Sequence, residues 1–132
     1  MYNWYAVNDP RGLAPEGWHV PTNEEWITLE NYFGIPQAGS KMKCDSIQDQ
    51  NEAAGRDRTF CALLGGYRTI EGRFTGLGEF TYLTGVTEDK LPESKDKFFF
   101  WGRGLHVDNA TVMRCGLEKE FALYVRCIRD KK

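Results

Sequence analysis

The strongest periodic signal in the chain follows a proline. Trp26, Leu29 and Phe33 recur at i, i+3 and i+7, which is one face of an amphipathic helix. Thr22 stands just before this run and Glu25 three residues on. In that spacing a threonine hydroxyl accepts a backbone N–H while the glutamate reaches back to the cap. Glu24 and Glu25 also suit the positive end of the helix dipole. Gly34 supplies a stop and Pro36 prevents continuation. The pattern predicts a helix over residues 23–33 and a further helical turn within 37–44.

Elsewhere the apolar residues come in short runs. Residues 2–7 (YNWYAV) read as a strand, 8–12 as a turn and 15–21 (PEGWHVP) as a rigid connection. Residues 45–59 are polar and read as a loop. Residues 60–67 are apolar around Gly65 and Gly66, and 73–85 carry Phe74, Leu77, Phe80, Tyr82 and Leu83 among glycines. Residues 86–97 are charged, hold Pro92 and read as an exposed loop. Residues 98–104 (FFFWGRG) read as a strand, and 105–115 with 121–129 as a hairpin turning near 117–119. In its last strand Leu123, Val125 and Cys127 share a face. The first and last segments are both strand-like and are expected to pair. The order predicts an α+β fold: one main helix and a short second one, packed on twisted antiparallel sheet with long loops.

The strand at 98–104 puts Phe98, Phe100 and Gly102 on one face and Phe99, Trp101 and Arg103 on the other. A one-sided sheet needs a single apolar face. Either both faces are covered, or one presents Trp101 and Arg103 to a partner, and these residue types anchor binding sites.

Composition narrows the classes. A chain of 132 residues is one domain with room for a core. A net charge of -2 gives no basic excess for nucleic acid, and no apolar run approaches a membrane span. Aromatic residues at 14 %, alongside 14 glycines, favour short strands and tight turns over a helical bundle. The start has no basic and apolar leader pattern, so the chain is expected to be one domain of a longer protein.

Cys44, Cys61, Cys115 and Cys127 allow three pairings, and free thiols remain an equal alternative. The expected hairpin sets Cys115 opposite about Glu120, a poor geometry for a Cys115–Cys127 bridge. There is no CxxC pair or Cys/His cluster for zinc. His19 reads as a hydrogen-bonded scaffold residue, and His106 as a strand residue beside Asp108. No G-x-S-x-G nucleophile turn is present.

Four stretches, YNWYAV, GLAPEGWHVPTNEEW, ALLGGYR with GRFTGLG, and ALYVRCIRD, resemble the Fibrobacter succinogenes major paralogous domain family over nearly the whole chain. PTNEEW and ALYVRC are in turn similar to motifs of the formylglycine-generating, or sulfatase-modifying-factor, superfamily. The resemblance implies a C-type-lectin-like fold and an exported, surface-displayed parent, often a lipoprotein. Ala14 stands where the family often has cysteine, so the bridge that the family implies to Cys127 is lost. Phe80 to Gly85 replace the family's GYWWSS, and Ala122 replaces a closing glycine.

Formylglycine-generating enzymes use two closely spaced cysteines that bind copper, and this chain lacks such a pair. The resemblance therefore implies a non-enzymatic module, with that oxidase chemistry and a purely structural role as alternatives. The expected ligand is a glycan or a protein, met by a monomer. Lectin-type EPN, QPD and WND calcium motifs are absent. Calcium is left to the weak pairs Asp108-Asn109 and Glu88-Asp89, and no cofactor is expected. Related lectin-like domains contact ligands from late strands and loops. That placement implies Trp101, Arg103, His106, Asp108, Asn109 and Arg114 as ligand-contacting residues.

Overall fold

The computed structural model describes residues 1–44, 60–89 and 99–131. The loop expected at 45–59 and the stretch 90–98, with Phe98 of the expected strand, lie outside them. The chain opens with one helical turn, α1 (Trp4–Val7), where a strand is expected. Asn3 is the cause: its Oδ1 accepts the Ala6 N–H at 3.0 Å and closes the turn. Tyr2 keeps the strand pairing, exchanging backbone hydrogen bonds of 2.8 and 3.0 Å with Leu123. The expected pairing of the two ends is therefore divided. Tyr2 takes Leu123, whereas the last strand, β7 (Ile128–Arg129), pairs antiparallel with β1 (Trp18–His19).

The main helix, α2 (Asn23–Phe33), keeps its expected bounds because its signals are local. Thr22 Oγ1 accepts from Glu25 N–H at 3.3 Å, and Glu25 Oε2 accepts from Thr22 N–H at 2.9 Å. Gly34 ends the helix at φ 88°, and the cis Ile35–Pro36 bond turns the chain into α3 (Ala38–Met42), the expected second helical turn.

The remaining strands are β2 (Gly65–Arg68), β3 (Phe74–Leu77), β4 (Phe80–Asp89), β5 (Phe99–His106) and β6 (Met113–Glu118). They form a curled five-stranded sheet in the order β3-β2-β4-β5-β6. It is not wholly antiparallel: β2 meets β4 parallel, through Gly66 and Thr81. β4 also continues through residues 86–89, where the charge pattern predicts loop. Val86 N–H donates to Pro21 O at 2.9 Å and Thr87 Oγ1 accepts from Asn23 N–H at 2.8 Å, so the entrance of α2 holds this part of the strand.

The late hairpin differs from expectation. β6 pairs with β5, and Cys115 lies opposite Gly102, not Glu120. The turn falls at 107–112 because the Lys43 ammonium gathers the carbonyls of His106, Val107 and Asn109 at 2.6, 3.2 and 2.9 Å. Residues 122–124 instead bridge to Arg68, Tyr2 and Leu83. Cys44 and Cys61 form a disulfide, and Cys115 and Cys127 are free. No described helix is long and apolar enough to cross a membrane.

β5 is buried on one face at Phe100 and on the other at Arg103 and Leu105, while Phe99 and Trp101 stay half-buried. Toward α2 and α3, Leu105 joins Trp26, Phe33, Ala38, Met42, Ala62 and Leu83. On the other face Phe100 packs with Leu117 and Leu123, ringed by Trp4, Tyr67, Tyr82 and Phe121. Gly102 and Gly104 give those side chains room. A Cβ at Gly102 would meet Leu117 Cδ1 at 2.8 Å, and one at Gly104 would meet Phe80 Cζ at 3.0 Å. At these two positions a missing side chain is what lets β5 pack closely against its neighbours.

Candidate functional site

Arg103 and Arg114 are direct cross-strand neighbours on the helix-facing side of β5 and β6. Like charges in that register repel. The sheet accommodates them because Glu30, on the last turn of α2, inserts its carboxylate between them. Arg103 Nε donates to Glu30 Oε1, and Arg114 Nε donates to Oε2 at 2.9 Å, with Arg114 Nη2 in an ion pair 2.7 Å from the same oxygen. Arg103 Nη2 also donates to Asn23 Oδ1 at 2.7 Å. Arg103 is fully buried and Glu30 is 2 % exposed, whereas the Arg114 side chain is 42 % exposed. Two guanidinium groups share one carboxylate, which leaves one positive charge at a site where only Arg114 reaches solvent.

Arg114 opens onto a cleft of about 400 Å3. Ile35, Pro36 and Ala38 of the α2–α3 connection line one part, and Thr111 and Val112 of the late turn another, with Glu30 between. Gly39 sets how closely these segments approach. A Cβ there would lie 2.5 Å from Thr111 O, and the neighbouring Ser40 N–H donates to Ala110 O at 3.0 Å. The lining is mainly apolar, with the guanidinium of Arg114 as its charged group.

The expected ligand-contacting residues separate. Arg114 is at the cleft. Arg103 is a correction: it is not presented to solvent, because Glu30 and Asn23 claim it inside the protein. Trp101 is half-buried on the same face of β5, away from the cleft lining. His106 accepts from Asp108 N–H through Nδ1 at 3.1 Å and meets the Phe80 ring at 5.9 Å. Asn109 Oδ1 accepts from Thr111 N–H and Oγ1–H at 3.0 and 2.8 Å, so it shapes the turn that carries the cleft wall. Asp108 is exposed.

Two of the residues considered for calcium, Asn109 and Glu88, meet lysines. Lys43 occupies the carbonyls of the late turn, and Glu88 accepts from Lys119 Nζ at 2.5 Å. Among the described residues no three His, Cys, Asp or Glu side chains converge on a metal position. Burial pushes the Cys115 thiol up, with Arg103 offsetting it only in part, and burial also raises Cys127. Neither is an activated thiolate.

Glu30, Ile35, Pro36, Ala38, Thr111 and Val112 are absent from the sequence-based site. One signal pointed to Glu30. It falls between Trp26 and Phe33 on the apolar stripe of α2, where a carboxylate needs a buried cation.

A second charged cluster joins the chain's ends. His19 Nδ1 meets Asp130 Oδ1 at 2.6 Å, and its Nε2 meets Glu25 Oε1 at 2.8 Å. Hydrogen bonding to Asp130, then to Glu25, raises the His19 pKa. At Glu25 burial pushes upward, but hydrogen bonds from Thr22 and His19 outweigh it and leave the carboxyl below its usual value. The signs fix the pH window. The His19 contribution is complete below about pH 6.5 and is lost as pH rises through its raised pKa. The Glu25 contribution is present above its usual range, about 4.3, and is lost on acidification. In urea unfolding, wild type is expected to lose stability relative to His19→Gln as pH rises from about 6 to about 9. Parallel pH profiles for the two proteins would show that the cluster does not contribute.

The five-stranded sheet, the short helices and the charged cleft define a small mixed α+β domain. Within that class, the chain belongs to the Fibrobacter succinogenes major domain family, whose model matches residues 1–129. No curated protein and no solved structure matches it.

Proposed function

We propose that this domain is a non-enzymatic recognition module of an exported, surface-displayed protein, and that it holds a protein or glycan ligand at the cleft beside Arg114. The observation that carries this reading is the cleft itself, an apolar opening beside a half-exposed guanidinium. An apolar recess with one well-placed polar group is the usual form of a binding site. The Cys44–Cys61 disulfide fits an oxidising compartment and so supports export. The raised thiols of Cys115 and Cys127 favour a binding role over thiolate–copper oxidation. The resemblance to formylglycine-generating domains, and a C-type-lectin-like description of the fold, belong to the same proposal. In this reading the ligand surface moves from Trp101 and Arg103 to Arg114 and the 35–38 and 111–112 segments.

The test is a glycan array and a peptide array probed with wild type, Val112→Asp and Trp101→Ala. Signals removed by Val112→Asp and kept by Trp101→Ala are expected. Signals indifferent to Val112→Asp, or tight binding of one copper by Cys115 and Cys127, would overturn the reading.

A further inference from the structure

We infer that the cleft selects a ligand carrying a carboxylate beside a compact apolar group. This rests on the cleft being the binding site, as proposed above, and it names the chemistry bound there.

The first observation is the charge at the site. Arg103 and Arg114 face each other across β5 and β6 with Glu30 as their shared carboxylate. Both Glu30 oxygens are in use. The site therefore retains one positive charge beside an apolar recess, where an anion gains more from it than it would in bulk water. Arg103 cannot meet that anion, because it is fully buried against Glu30 and Asn23. Arg114 can. Its Nε and Nη2 hold Glu30, and Nη1 has no partner among the described residues. Glu30 also fixes the plane of this guanidinium, so its outer edge is presented with little further loss of side-chain freedom.

The second observation is the lining. Ile35, Pro36, Ala38 and Val112 offer apolar contact, while Thr111 has its Oγ1–H committed to Asn109. A sugar ring, with hydroxyls all round, would leave hydrogen bonds unmade on these walls. A single residual charge suits a monoanion better than a phosphate dianion. A planar carboxylate next to a branched or aromatic group meets both conditions. It can come from a free apolar acid or from the C-terminal residue of a protein.

The test is a nuclear magnetic resonance titration of the full chain with N-acetyl-leucine, N-acetyl-leucinamide, galacturonate and a peptide ending in leucine. N-acetyl-leucine is expected to shift Ile35, Ala38, Thr111 and Val112 amides and the Arg114 Nε–H. The amide, with the same apolar body, is expected to bind at least about tenfold more weakly. Galacturonate, with the charge on a polar body, is expected to bind more weakly as well. Arg114→Gln should bring the acid down to the affinity of the amide, and Arg114→Lys should fall between. A peptide that matches or exceeds the free acid identifies a protein C-terminus as the source. A weaker peptide identifies the free acid. Equal binding of acid and amide by the wild-type protein overturns the carboxylate inference while leaving the cleft as a binding site. Acid binding that leaves all of these cleft signals unmoved overturns the inference too, and Val112→Asp on the arrays decides the broader reading separately.

Discussion

Glu30→Ala is expected to lower folding stability by about 3–5 kcal/mol, among the largest effects of any single substitution here. The loss does not come from one salt bridge being strong. It comes from what remains. Arg103 is fully buried, and its guanidinium depends on Glu30 and on Asn23 Oδ1. Without the carboxylate it keeps a full charge in a low-dielectric setting with a neutral amide as its remaining side-chain partner. Arg114 then stands opposite it in register with nothing between them. Glu30→Gln keeps the volume and one acceptor oxygen, so it should cost less than alanine but still lose the charge compensation. The double replacement Glu30→Met with Arg103→Met removes both buried charges together and should recover most of the loss, because a buried ion pair is often no better than packed apolar groups. Urea unfolding of the four proteins measures this. A cost under about 1 kcal/mol for Glu30→Ala would mean that water reaches Arg103, and the burial argument would fail.

The contrast between Glu30 and Arg103 shows where sequence reasoning stops. The bounds of α2 were legible because Thr22, Glu25 and Gly34 act on residues beside them. The place of Glu30 on the apolar stripe could have been found from the helix periodicity, although the reading of that stripe passed over it. Its partner could not, since Arg103 is 73 residues away and nothing local connects the two. Alternation along 99–104 divides the side chains into two faces, but it says nothing of what lies on each. The same limit explains the ends. YNWYAV is apolar and aromatic, and only the Asn3 cap makes it helical beyond Tyr2. Residues 121–129 have strand character, yet their partners are Tyr2, Arg68, Leu83, Trp18 and His19, far away in sequence. The Lys43 ammonium moves the late turn to 107–112 from a position 63 to 66 residues earlier. Motif order identified the family across the chain. The cleft arises where two motif-poor segments, 35–38 and 111–114, approach each other through Gly39, and no pattern within either announces it.

Phe100→Ala is expected to cost about 3–5 kcal/mol as well, for a different physical reason. Phe100 is fully buried at the centre of the core on the face of β5 away from α2. Leu117 is its cross-strand partner and Leu123 closes over it from the segment that pairs with Tyr2. Removing the ring leaves a cavity that these neighbours cannot readily fill. Leu117 is already against Gly102, and Leu123 is held by two backbone hydrogen bonds to Tyr2. The deletion therefore combines lost transfer energy with an unrelaxed void. Phe100→Leu keeps much of the volume and should cost roughly half as much or less. Phe99→Ala is the internal control, since it removes the same ring from the next, half-buried position on the opposite face. It should cost clearly less than Phe100→Ala. Urea midpoints for the three variants give the order directly. If Phe99→Ala proves as costly as Phe100→Ala, the alternation of β5 is not the division between two cores described here, and Trp101, on the same face as Phe99, would belong to the interior along with Arg103.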